Sequence, residues 1–240
     1  RAQLEKLRQS MKKPEGFMNL RVEPFRFCTR LSLTEVTGRK AYNIEELLEG
    51  IKAADDATIY HHTHRFIKQS HHLVPEGAND FAYWVTRTVQ ADRLGEHLTS
   101  IDIVQFNSLA DIKAAFVKML ERHIAENPEQ MRTVAPGREF HFMRAIRFSL
   151  PTECAASDYV GFIECLHNVS VSSLYLHVFE ARLRPPYGVD DFSHWFKTNF
   201  NDEVIGKEIS RLDPYSYTLE SLRQRIIRII EHRLAEVSRA

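Results

Sequence analysis

The sequence predicts a mostly helical α+β protein built from two tandem helical repeats related by a pseudo-twofold axis. Each repeat opens on one β-strand, and the two strands are expected to pair with each other. Three observations carry this prediction. The chain repeats its own motifs in the same order, each copy starts with an alternating apolar stretch, and the remainder of each copy has helical spacing with capping residues between segments.

Self-similarity sets the boundaries. ATIYHHTHRF (57–66) matches SSLYLHVFEA (172–181), aligning Tyr60 with Tyr175 and His62 with His177. NDFAYWV (79–85) matches DDFSHWF (190–196), and LGEHLTSID (94–102) matches IGKEISRLD (205–213). IKAAFVKMLERHIAE (112–126) meets LRQRIIRIIEHRLAE (222–236), and PFRFCTRLSL (24–33) meets EFHFMRAIRF (139–148). Matches in one shared order read as an internal duplication. Residues 1–23 are then an N-terminal extension or linker, 24–127 repeat 1, 128–138 a linker and 139–240 repeat 2.

Each element follows from its pattern. Phe25, Phe27, Leu31 and Leu33 alternate with other residues, as do Phe140, Phe142, Ile146 and Phe148; a period of two is that of a half-buried strand. A lone strand leaves its ladder groups unpaired, so the two are expected to pair antiparallel. A helix comes next with Ile44, Leu47, Leu48 and Ile51 on one face, opened by Asn43 with Glu46 three residues on, a capping box. Tyr159, Phe162, Ile163 and Leu166 hold the matching places. Then come the helix carrying Tyr60 and His62, a loop with Pro75 and Gly77 (Pro185, Pro186 and Gly188 in copy two), and a helix capped by Asn79-Asp80 or Asp190-Asp191. A short helix around Gly95 or Gly206 and a long amphipathic helix close each copy. Leu4, Leu7 and Met11 give the extension a weak helical spacing.

Composition narrows the function classes. The 43% hydrophobic and 27% charged content is that of an ordinary globular protein. Lys plus Arg and Asp plus Glu balance at 32 each, so no net positive field gathers nucleic acid or anionic membrane. Cys28, Cys154 and Cys165 have no metal-knuckle spacing and read as free thiols of a reducing compartment. No run approaches the roughly 20 apolar residues that span a bilayer, and the cytoplasm is the expected location. Thr37-Gly38-Arg39-Lys40 lacks the leading glycine of a phosphate-binding loop, and no nucleophile-elbow or dinucleotide motif occurs.

Ile59, Tyr60, His62, Thr63 and His64, together with Asn79, Asp80, Phe81, Trp84 and Val85, resemble the signature of an uncharacterised bacterial and archaeal family, a domain of unknown function. The resemblance runs from Pro24 over nearly the whole chain. It implies a fold and a cytoplasmic setting and brings no reaction, cofactor or substrate.

The segment YHHTHRFIKQSHH (60–72) concentrates five of the twelve histidines. His62 and its counterpart His177 fall beside the apolar helix face and read first as buried imidazoles, with Asp80 and Asp191, or Asp102 and Asp213, as partners. His61 and His64 lie on the other side, where copy two has Leu176 and Phe179, so that face is either solvated or specialised. Two histidines at i and i+3 can reach one divalent metal ion, with His71 or His72 as a third nitrogen ligand and Glu76 or Asp80 completing the set, His72 and Asp80 being the expected pair. Against this, no His-Glu-x-x-His motif occurs. The arginines of the last helix, Arg223, Arg225, Arg228 and Arg233, read as a solvated face with snorkelling stems.

Two functions are expected from these patterns. The first is a binding or interaction module that takes a small molecule or protein partner where the copies meet, lined by Tyr60, His62, Tyr175 and His177. The alternative is a metal-dependent hydrolase that uses His61, His64, His72 and Asp80.

Overall fold

The computed structural model describes residues 22–69, 79–128, 132–184, 188–212 and 218–237. Leu4, Leu7 and Met11, the loop residues Pro75, Glu76, Gly77, Pro185 and Pro186, and His71, His72 and Asp213 lie outside the described residues. Strand β1 covers Phe25–Ala41, followed by α1 (Ile44–Ala53), α2 (Asp56–Gln69), α3 (Asp80–Trp84), α4 (Asp92–Thr99) and α5 (Leu109–Glu126). Strand β2 covers Phe140–Ala156, followed by α6 (Tyr159–Asn168), α7 (Val171–Val178), α8 (Asp191–Phe200), α9 (Glu203–Ser210) and α10 (Leu219–Val237). The protein is mostly helical, with β1 and β2 antiparallel in one two-stranded sheet.

The caps form where the sequence places them. The Asn43 side chain accepts from the Glu46 N–H at 2.8 Å, and the Glu46 carboxylate reaches back to the Tyr42 N–H at 2.9 Å. Asn79 and Asp190 cap α3 and α8, each accepting at 2.8 Å, from the Ala82 and Ser193 N–H groups respectively. After α3 the backbone makes one π-helical turn, Val85–Val89, and Gln90 ends it in the left-handed region; Asn201 does the same after α8.

Both strands are longer than the alternating stretches that announce them, and their large buried side chains lie at the strand starts. Phe25, Phe27, Phe140 and Phe142 are buried, whereas Leu31, Leu33, Ile146 and Phe148 are exposed. The expectation of a half-buried strand throughout is therefore corrected. Two strands satisfy each other's backbone groups without a helix lying over their middle, so alternation there does not imply cover.

Two compact units make up the chain, and each contains part of both strands. The first unit is Leu31–Phe148 with Leu183–Pro185; the second is Arg1–Arg30, Ser149–Arg182 and Pro186–Ala240. In the first unit the start of β2 enters the helices that precede it. The Phe140 ring lies 5.4 Å from Phe81, 5.8 Å from Trp84 and 4.8 Å from His62. In the second unit the start of β1 enters the helices that come after β2, with Phe25 at 5.2 Å from Phe162, 5.4 Å from Phe192 and 5.8 Å from Trp195. Each buried ring contributes about 1.5–3 kcal/mol, so these aromatic ends anchor the strand pair.

The same polar bonds recur in both units. Trp84 Nε1 donates to Arg138 O at 2.9 Å and Trp195 Nε1 to Glu23 O at 2.7 Å. Thr37 Oγ1 donates to Phe142 O at 2.6 Å and Thr152 Oγ1 to Phe27 O at 2.7 Å. Lys113 Nζ donates to Ala54 O at 2.8 Å, and Arg223 donates to Val169 O at 2.6 Å and to Leu166 O. The reading of Arg223 as part of a solvated face is corrected by this last pair. Arg223 is buried, because its guanidinium satisfies carbonyls that the end of α6 leaves without N–H donors.

Candidate functional site

Helix α2 places Tyr60, His61, His62, Thr63 and His64 inside the first unit, every one of them buried. His62 Nδ1 stands 2.8 Å from Asp80 Oδ2, and His62 Nε2 accepts the Met143 backbone N–H at 2.9 Å. The second unit repeats this: His177 Nδ1 to Asp191 Oδ2 at 2.6 Å, and Cys28 N–H to His177 Nε2 at 2.9 Å. A backbone N–H can only donate, so in both rings Nε2 carries the lone pair and Nδ1 the proton. Both imidazoles are therefore neutral Nδ1–H tautomers with both nitrogens used, each tying its helix to an incoming strand. Of the partners the sequence offers, Asp80 and Asp191 take this role. Asp102 instead accepts from the Val104 N–H at 3.1 Å and from Gln105 Nε2 at 2.8 Å.

His61 and His64 are not on a solvated face. Thr63 gives its one hydroxyl proton to Ile59 O at 2.7 Å, so the 2.8 Å contact with His64 Nδ1 has the imidazole as donor. The His64 ring stacks on Tyr60 at 5.0 Å with 7° between planes, and the Arg147 guanidinium lies 4.0 Å from the Tyr60 ring centre. Tyr60 is thus committed to protein groups. In the second unit Tyr175 is fully buried, with Phe179 at 5.5 Å. The four residues expected to line a ligand groove are all interior, Tyr60 and His62 in the first unit and Tyr175 and His177 in the second.

The expected metal set is rearranged. Among the described residues the group brought together is His61, His62 and Asp80, whose ligand atoms lie within 4.8 Å of one another. His64 is not in that group, and His72 lies outside the described residues. His62 brings no spare lone pair: its Nε2 holds Met143, and its Nδ1 bears the proton shared with Asp80. A cation there would displace one of those bonds, leaving His61 and Asp80 as the donors that could serve a metal without breaking the latch.

A cleft of about 250 Å³ opens elsewhere in the first unit, between the ends of both strands and the junction of α1 with α2. Arg39 and Arg144 come from the strands, Asp55 and Thr58 from the junction, and Gly50 and Phe142 form its floor. Gly50 is required there, since a Cβ at this position would meet the Phe142 ring at 2.1 Å. Arg144 is steered by Glu35 at 3.2 Å and Asp55 at 3.8 Å. Burial pushes the Asp55 carboxyl up, but hydrogen bonds from Thr58 and the Arg144 charge outweigh it and hold the carboxyl below its ordinary value. Asp55 is therefore a fixed anion at neutral pH. Sequence reasoning missed this cleft because its residues sit far apart in the chain. Arg39 drew notice only within a failed phosphate-loop motif.

A sequence model described as a family of unknown function (DUF5752) matches residues 22–231 of the chain. The solved structure of OrfY from Thermoproteus tenax is similar, with 29% sequence identity and a TM-score of 0.75, covering 88% of this chain and 95% of that one. No functionally curated protein matches.

Proposed function

Since the chain belongs to DUF5752, a family of unknown function, we propose that it is a small-molecule-binding module, with the cleft of the first unit as its site. The observation that carries this reading is an asymmetry between two otherwise matching copies. Their shared histidines are spent on holding strands to helices. What differs is the cleft wall: Gly50, Ala53 and Ala54 line it, where the second copy has Cys165, Asn168 and Val169. The matching bonds of Trp84 and Trp195, Thr37 and Thr152, and His62 and His177 support an origin of the chain by internal duplication. Three free cysteines support a cytoplasmic setting, and the balanced charge argues against a nucleic-acid partner. Among the described residues no helix is long and apolar enough to cross a membrane.

The test is a thermal-shift and amide-NMR screen of the full chain against a metabolite library, repeated on Ala54→Val, which puts the second copy's residue into the cleft. The reading expects hits that move the amides of Gly50, Ala53 to Thr58 and Phe142 and that weaken at least 10-fold in the variant. Hits that bind both proteins equally would sink it. The second reading, a metal-dependent hydrolase, is favoured only by the approach of His61, His62 and Asp80. Stoichiometric zinc, manganese, iron or nickel in the purified protein, lost in His61→Ala, would revive it.

A further inference from the structure

We propose that the cleft of the first unit takes a small molecule bearing a phosphate or carboxylate group, held by Arg39 and Arg144 over the Gly50–Phe142 floor. The inference rests on the proposed binding function and adds the chemical class of the ligand.

The strand side of the cleft is charged in one copy only. Arg39 and Arg144 line a space whose matching positions in the second copy are Cys154 and Thr29, and Asp55 is matched by Ser170. In the second copy Thr29 and Ser170 bond each other at 3.1 Å, a neutral closure in place of ions. There Cys165 stands beside Cys154, its thiol pushed up to about 12 by burial and by that neighbour, so the Cys165 thiol stays uncharged at physiological pH. Charge therefore enters the first copy at Arg39, Arg144 and Asp55, around the same cleft whose helix wall loses side-chain volume at Gly50, Ala53 and Ala54. Arg39 and Arg144 are exposed at the rim of this cleft, whereas Cys154 and Thr29 are half-buried.

The two arginines have different tasks. Glu35 and Asp55 orient Arg144 without enclosing it, since its side chain remains 45% exposed. Arg39 makes no ion pair among the described residues, and its backbone N–H is anchored to Thr37 Oγ1 at 3.2 Å. An anion between them gains charge-assisted, fork-shaped hydrogen bonds from planar groups that match carboxylate and phosphate. Below it, the buried Phe142 ring packed against Gly50 closes the cleft on its inner side. Beside Arg144, the ionised Asp55 can accept a hydrogen bond from a hydroxyl or amine of the ligand. The ligand is thus an anionic head on a compact body that carries a hydrogen-bond donor, and the small volume excludes a peptide or a nucleic-acid strand.

The experiment titrates the full chain with phenyl phosphate, benzoate and the neutral benzyl alcohol, following backbone amides by NMR. The expected result is saturable shifts at Thr37 to Arg39, Ala53 to Thr58 and Phe142 to Arg144 with one or both anions. Binding should weaken at least 10-fold in Arg39→Gln and in Arg144→Gln, which are surface changes compatible with folding. The stronger of the two anions identifies the head group as phosphate or carboxylate. Binding of benzyl alcohol at the same amides, as tight as the anions and indifferent to both variants, overturns the anionic class while leaving the cleft a binding site. If none of the three moves these amides, the inference is overturned, and the library screen decides the binding reading separately.

Discussion

His62 Nε2 accepts the backbone N–H of Met143 across 81 residues of sequence, at 2.9 Å. With Asp80 on the other nitrogen, the ring is a latch between helix α2 and strand β2, and His177 with Cys28 and Asp191 is its counterpart. The latch fixes protonation as well as position. Nitrogen-15 NMR at neutral pH is expected to show His62 and His177 as neutral Nδ1–H rings, and an Nε2–H signal from either would refute the assignment.

The latch also has an energetic consequence. His62→Ala strands a buried N–H and a carboxylate and leaves a void, so urea unfolding should report a loss of about 2–5 kcal/mol. Asp80→Asn keeps an acceptor for Nδ1–H and should cost about 1 kcal/mol. Equal losses in the two variants would mean that the carboxylate charge, and not the hydrogen bond, holds the ring.

Metal should leave stability unchanged. Because His62 has no lone pair to spare, the melting temperature is expected to be the same with chelator and with added zinc, and the same holds for His64→Ala. A zinc-dependent rise that disappears in His61→Ala would contradict this, since binding to the native state stabilises by mass action.

Gly50 answers to a close approach and not to a turn. Gly50→Ala drives a methyl into the Phe142 ring and is expected to destabilise by about 1–3 kcal/mol, as overpacking does. Phe142→Leu in the same chain should recover part of that loss. A neutral Gly50→Ala would show that the ring moves freely, and the cleft floor with it.

Asp190 makes the stability depend on pH. Its carboxyl is raised above the ordinary value by burial, against hydrogen bonds from Ser193 and the charge of Arg182. The folded state therefore holds the proton more tightly than the unfolded chain. The resulting stability is full below the ordinary carboxylate range and is lost as pH rises through the raised value. Asp190→Asn keeps the capping oxygen, as Asn79 does at the start of α3. It is expected to match or exceed the wild type at pH 7, with the advantage vanishing in acid, whereas Asp190→Ala should lose about 1 kcal/mol with the cap. Chemical unfolding at several pH values separates these outcomes.

Local chemistry made much of the fold legible. Asn43 with Glu46, Asn79 and Asp190 cap the helices they precede, because a side-chain oxygen beside free N–H groups is a short-range bond. Phe81, Trp84, Phe192 and Trp195 are core, because one helical stripe had to be buried. The need of an unpaired strand for a partner foretold the two-stranded sheet.

Burial depends on what packs against each face, and periodicity does not supply that. His61 and His64 share a side with Lys68 in the sequence yet lie inside, while Leu31 and Leu33 keep strand alternation yet face solvent. Arg223 looks like a surface charge and is buried on the carbonyls of Leu166 and Val169. The cleft was the least visible feature, since Arg39, Gly50, Asp55 and Arg144 meet only when both strands and the α1–α2 junction converge. By itself the sequence determined the helices, their caps and the paired strands, all set by interactions a few residues long or by the need of one strand for another. Only the tertiary structure decided which histidines latch, which arginines are buried and where a ligand-sized space remains, because those depend on groups that folding brings together from distant positions.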